Sequence, residues 1–140
     1  MSNDAGAIAE GGCQCGAIRF RLTAPPGRVY CCHCTECRRQ SASAFGISVI
    51  VPPGGVTVTH GVPGEWPRLT ASGSTLACAF CPDCGSRLWH RASDCVSVKG
   101  GALDRVPDPT AHIWTGSKLP WVVIPDGVEE WPQEPACPPR

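Results

Sequence analysis

Seven cysteines fall into three clusters with metal-ligand spacing: Cys13-Gln14-Cys15, Cys32-His33-Cys34-Thr35-Glu36-Cys37 and Cys81-Pro82-Asp83-Cys84. Cys-x-Cys and Cys-x-x-Cys each bring two sulfurs within reach of one ion, at zinc–sulfur distances of about 2.3 Å. A closed structural zinc takes four ligands, whereas a catalytic zinc commonly keeps three and an open position. The simplest division of seven thiolates is one site of each kind. A glycine follows both Cys15 and Cys84, as the tight turn of a zinc knuckle requires. Cys13, Cys15, Cys81 and Cys84 are therefore the expected closed site. Cys32, Cys34 and Cys37, self-contained over six residues, are the expected open one.

Three thiolates on a dication leave one net negative charge, so zinc there is a weaker Lewis acid than with three neutral histidines. Activating water is a poor use of such a vacancy; holding a fourth sulfur suits it better. The expected ligand is a substrate thiol. Arg38 and Arg39 follow the last ligand, either as a solvated basic pair or as partners for the site's charge or a substrate carboxylate. His33 lies between two ligands, so its ring should point away from the metal and act as proton donor or as a support. Cys31 has no ligand spacing and reads first as a small buried hydrophobe, but it adjoins the open site and is also placed to fill it in a resting state. Cys78 and Cys95 read as small buried hydrophobes, and Cys137 has no ligand spacing.

Short strands must position these ligands. Sixteen glycines and fifteen prolines oppose long helices. Alternating or β-branched runs mark strands over residues 17–22, 45–51, 56–59, 76–80, 87–90, 96–99 and 121–124, with a Pro-Pro-Gly-Gly turn at 52–55. Only residues 35–44 look capable of a helical turn or two. Trp66, Trp89 and His90 are candidates for either a pocket or the core. His60 and His112 read as loop or packing residues, and Asp104 as a turn cap.

At 140 residues the chain suits one domain over 11–130, with a short disordered leader at 1–10 and a Pro-rich tail at 131–140 lying extended on the surface. Twelve basic residues balance twelve acidic ones, which gives no electrostatic reason for a nucleic-acid or anionic-membrane partner. No stretch approaches the roughly 20 apolar residues of a membrane span. The start has no signal-peptide pattern, so the expected location is cytoplasmic. The eleven cysteines then read as ligands in a reducing compartment rather than as a disulfide framework.

Gly12 to Gly16, Cys32 to Arg38 and Phe80 to Ser86, followed by Gly101-Ala102-Leu103-Asp104, His112-Ile113-Trp114 and Lys118-Leu119-Pro120-Trp121, together resemble the glutathione-dependent formaldehyde-activating enzyme (Gfa) family, which also includes centromere protein V. The resemblance implies a mainly β fold, a zinc-stabilised β-tent of several coiled antiparallel sheets with little helix. It implies the same metal partition: two zinc ions, one structural on Cys13, Cys15, Cys81 and Cys84, one catalytic on Cys32, Cys34 and Cys37. The implied activity is a carbon–sulfur lyase reaction, addition of glutathione or a similar thiol to formaldehyde or a similar carbonyl compound, with His33 or a water protonating the product oxygen. Two alternatives stand beside it: a non-catalytic zinc module that binds a partner protein, and a different lyase or hydrolase reaction at the same open zinc. The chain departs from the family where Ser41-Ala42 replace a usual glycine.

Overall fold

Chain alternation decides which side chains meet in a β protein, and the computed structural model, which describes residues 9–134, shows the outcome. In chain order the elements are β1 (Ala9–Gly12), β2 (Arg19–Leu22), β3 (Val29–Cys32), α1 (Thr35–Ser41), β4 (Gly46–Val51), β5 (Val56–His60), β6 (Gly64–Leu69), β7 (Thr75–Phe80), β8 (Arg87–Arg91), β9 (Val96–Lys99), β10 (Ala111–Ile113) and β11 (Glu129–Glu130). Single 3-10 turns occupy Gly100–Ala102 and Thr115–Ser117. The fold is mainly β with one short helix, as expected.

The strands form two sheets, a small one ordered β1-β2-β5 and a large one ordered β11-β10-β3-β4-β9-β8-β7-β6. Pairing is antiparallel except at one edge, where β10 runs parallel to both β3 and β11. Across the large sheet Val29, Val49, Val98, Trp89 and Ala79 stand in register. All five are buried and pack with Ile18, just before β2, and with Phe20 and Leu22 of β2. Trp89 meets Phe20 edge to face at 5.2 Å, so one of the two tryptophans in question belongs to the core. This face of the large sheet is the floor of the main core.

The opposite face follows from the same alternation. β4 turns Gly46, Ser48 and Ile50 to it, β9 turns Ser97 and Lys99, and β8 turns His90, each opposite a partner on the neighbouring strand. Tyr30 and Cys32 of β3 lie on this face, where a second apolar cluster gathers Ile50, Cys95, Ala111 and Ile113 around Cys32 and Cys37. One strand residue separates core from site.

Several expectations need correction. Residues 121–124 form no strand: Trp121 lies in a turn closed by Val122 N–H donating to the Leu119 carbonyl, and Lys118 Nζ caps the Val122 carbonyl at 2.7 Å. An apolar run with no neighbour to pair cannot be a strand. β3 escaped notice because all four of its residues are buried, which removes the alternation that marks a strand. β6 escaped because it carries Pro67; it is an edge strand, where a missing N–H is tolerated. Ala9 and Glu10, placed in the leader, pair with β2; residues 1–8 lie outside the described residues. Trp131, placed in a surface tail, donates its N–H to the His112 carbonyl and is partly buried on the second cluster; residues 135–140, with Cys137, lie outside the described residues. Among the described residues no helix is long and apolar enough to cross a membrane.

Candidate metal centres and the cavity beside one of them

The sulfurs of Cys13, Cys15, Cys81 and Cys84 all lie within 4.8 Å of one another. Cys13 and Cys15 Sγ are 3.6 Å apart, and Cys15 and Cys81 Sγ 3.8 Å. Zinc–sulfur bonds of about 2.3 Å in a tetrahedron put sulfurs about 3.8 Å apart, so the cluster already has the spacing of a four-thiolate metal site. Its two halves come from different sheets: Cys13 follows β1, while Cys81 follows β7. The turn after each half uses its glycine as expected, Gly16 at φ 84 and Gly85 at φ 82. Ile18 N–H donates to Cys13 Sγ and Ser86 Oγ lies 3.3 Å from Cys84 Sγ. Such donors favour thiolate, and with the Ser86 contacts foremost they lower Cys84 to about 5. None of the described cysteines is in a disulfide.

Cys32, Cys34 and Cys37 form the second cluster, also within 4.8 Å. Cys32 ends β3, Cys34 is the N-cap of α1, and Cys37 N–H donates to Cys34 Sγ at 3.3 Å. The helix thus exists where the ligands need it, as a cap that gathers two sulfurs. Hydrogen bonds from Cys32 and Cys37 pull Cys34 down to about 2, while those two thiols are pushed up. Three thiolates held this close require a cation among them.

α1 ends at Ala42, which takes the left-handed conformation with φ 50 and ψ 44. This is the position where the resemblance expects glycine, and the backbone gives the reason. A non-glycine residue costs about 1 kcal/mol there. Ala42→Gly should raise the midpoint of thermal unfolding by roughly 4 °C, measured by circular dichroism on the metal-loaded protein.

The three-cysteine cluster opens on a cavity of about 530 Å³ lined also by Tyr30, Ser48, Ile50, Arg68, His90, Ser97 and Trp114. A larger cavity, about 770 Å³, touches Cys13, Cys84, Gln40, Arg87 and Lys99 but none of the three. His90, left between pocket and core by the sequence, is on the smaller cavity's wall. Burial first, then nearby Lys99, Arg68 and Arg87, lower it to about 3, so its ring is neutral.

The other histidines are elsewhere. His33 is 0% exposed, touches neither cavity, and places Nε2 2.8 Å from His112 Nδ1. β3 alternates, so Cys31 and His33 leave the face that carries Cys32. The His33 ring points away from the cluster, as expected, and of its two expected roles the geometry favours support, since it touches neither cavity. Cys31, 2% exposed, is the buried hydrophobe expected of it and does not turn to the cluster. His33 packs on Phe45 and His112, supporting the loop. His60 is exposed. Trp66 is half exposed and lies against the Arg87 guanidinium at 5.6 Å. Asp104 holds Arg19 by two hydrogen bonds of 3.0 and 2.6 Å rather than capping a turn.

Neither Arg38 nor Arg39 lines the smaller cavity. Arg68 is the cation on its wall; a second cation near Cys37 is Lys99, which lines the larger cavity, is 6% exposed and has no hydrogen-bond partner for Nζ among the described residues. Burial lowers its pKa, and the charges of Cys37 and Cys32 oppose that shift. Gly46 makes room: a Cβ there would come within 3.0 Å of Lys99 Nζ and 3.3 Å of Cys37 Cβ. Sequence reading missed Lys99, yet a signal existed. Val96-Ser97-Val98-Lys99 alternates valines with polar residues, which in a doubly covered strand marks a second, polar-lined face.

Residues 8–117 match the family described as glutathione-dependent formaldehyde-activating enzyme. A Halomonas elongata protein named "Putative glutathione-dependent formaldehyde-activating enzyme" is 32% identical over an alignment of 130 residues, gaps included, that covers 84% of this chain and 81% of that protein. A crystal structure of a Rhodobacter sphaeroides protein shares the fold with a TM-score of 0.54 and 20% identity, covering 87% of this chain and 98% of that one. With the family match running through both cysteine clusters, the chain belongs to the glutathione-dependent formaldehyde-activating enzyme family.

Proposed function

We propose that this protein is a zinc-dependent carbon–sulfur lyase that joins glutathione, or a similar thiol, to formaldehyde. The observation that carries the reading is the three-cysteine cluster opening on a cavity, in a chain whose other cluster already has four cysteines. A zinc ion on Cys32, Cys34 and Cys37 supplies, when bound, a soft open position that favours the thiolate form of an incoming thiol.

The chain's own residues do the rest. Lys99 offsets the surplus negative charge of the three thiolates, a task the sequence had offered to Arg38 and Arg39. Arg68, on the cavity wall 3.5 Å from Glu36, presents a cation to a substrate carboxylate. Ile50, Leu76, Ala92 and Ile113 give the wall an apolar stretch that limits water. In the reaction the sulfur's electron pair forms the carbon–sulfur bond, the carbonyl π pair moves to oxygen, and that oxygen gains the proton the thiol released.

The test is metal content before and after thiol addition. The reduced protein should carry two zincs per chain, and its cobalt-substituted form should show one additional sulfur-to-cobalt interaction on titration with glutathione. Two metals indifferent to glutathione would remove the basis of the proposal.

A further inference from the structure

Among the described residues, two buried polar atoms on the cavity wall are without hydrogen-bond partners: His90 Nδ1 and Ser97 Oγ. They are not independent. His90 on β8 and Ser97 on β9 are direct cross-strand partners, so their side chains leave the sheet on one face with Cβ atoms about 5 Å apart. Both line the cavity on which Cys32, Cys34 and Cys37 open, and Ser97 is 6% exposed. An unsatisfied buried polar group is costly, and buried polar groups in folded proteins nearly always find partners. Two such groups, paired across strands on the wall of a reaction cavity, mark a place that a ligand atom completes.

The chemistry of the pair selects the atom. A serine hydroxyl donates one hydrogen bond, and a neutral imidazole nitrogen donates in one tautomer. A carbonyl oxygen has two lone pairs and accepts both. We propose that His90 and Ser97 form the seat for the oxygen of a small aldehyde, holding the carbonyl carbon toward the sulfur side of the cavity. As carbon and sulfur bond, the π pair collects on that oxygen, and two aimed donors stabilise the growing charge more than the starting carbonyl. The oxygen then takes a proton equal to the one lost by the thiol, giving a hydroxymethyl group that fits the same seat by donating one hydrogen bond and accepting one. No oxidant or further reactant enters.

The inference rests on the proposed reaction, and the experiment separates the two. Wild type, Ser97→Ala, His90→Asn and His90→Phe are prepared with both metal sites loaded, and two zincs per chain verify the fold of each. Glutathione affinity is read from the cobalt-substituted proteins; formaldehyde kinetics are read at saturating glutathione. The expected result is a fall in kcat/KM for formaldehyde of about 10- to 100-fold in Ser97→Ala and at least that in the His90 variants, with glutathione affinity changed less than about twofold. Formaldehyde kinetics like wild type in Ser97→Ala and His90→Asn would overturn the seat while leaving the proposed function intact. Equal losses in glutathione affinity would also overturn it, assigning the pair to the thiol. A wild-type protein that neither binds glutathione nor consumes formaldehyde would refute the reaction, and the seat with it.

Discussion

Cys81→Ser is expected to abolish cooperative folding. Cys81 is 0% exposed and sits among the sulfurs that span the small and large sheets. Structural zinc contributes about 10–16 kcal/mol of apparent binding energy in small domains near neutral pH. A domain's whole stability is about 5–15 kcal/mol, so losing even part of the site exceeds the margin. Thermal denaturation followed by circular dichroism should show no transition in the variant, and a strong chelator should bring wild type to the same state. A variant that melts like wild type and retains two metals would show that the sheets hold together without the site.

Cys37→Ser is expected to do the reverse, leaving a folded protein without activity. Metal content should fall from two per chain to one, glutathione should no longer bind, and formaldehyde consumption should drop to the uncatalysed background. The cluster lies within a single β3–α1 connection, and the sheet around it is closed by backbone pairing, so its loss removes little of the fold. Cys31→Ser is the control. Cys31 points to the other face of β3, so both metals and the glutathione response should persist. A Cys31→Ser protein with one metal would place that sulfur at the open site and refute the alternation that separates them.

The two cysteine clusters were legible because the gathering of sulfurs by Cys-x-Cys and Cys-x-x-Cys is local, and both turn glycines carry their meaning in the sequence. The short helix was legible for a related reason: the spacing that gathers Cys34 and Cys37 also forms its first turn. The alternation of residues 96–99 marks a polar face on β9, but what that face meets was not legible. Lys99 and Ser97 reach the cluster only through the register of β9 on β4, and His90 only through β8 on β9. Registers between strands far apart in sequence leave no local trace. His33 was legible in its direction, since strand alternation turns neighbours apart, but not in its choice between donor and support. The edge made by β10 and β11 was hidden because three- and two-residue strands are too short to show a period.

The two clusters also differ in what they demand of the unfolded chain. Cys32, Cys34 and Cys37 span six residues, so a disordered chain can already wrap them round an ion. Cys15 and Cys81 are 66 residues apart, and joining them in a disordered chain means closing a large loop, an entropic constraint of about 4 kcal/mol by the relation used for cross-links. A ligand stabilises a fold only to the extent that it ignores the unfolded state. Raising free zinc should therefore protect this protein through its four-cysteine cluster and hardly at all through its three-cysteine one, so that a metal on Cys32, Cys34 and Cys37 could exchange without placing the fold at risk.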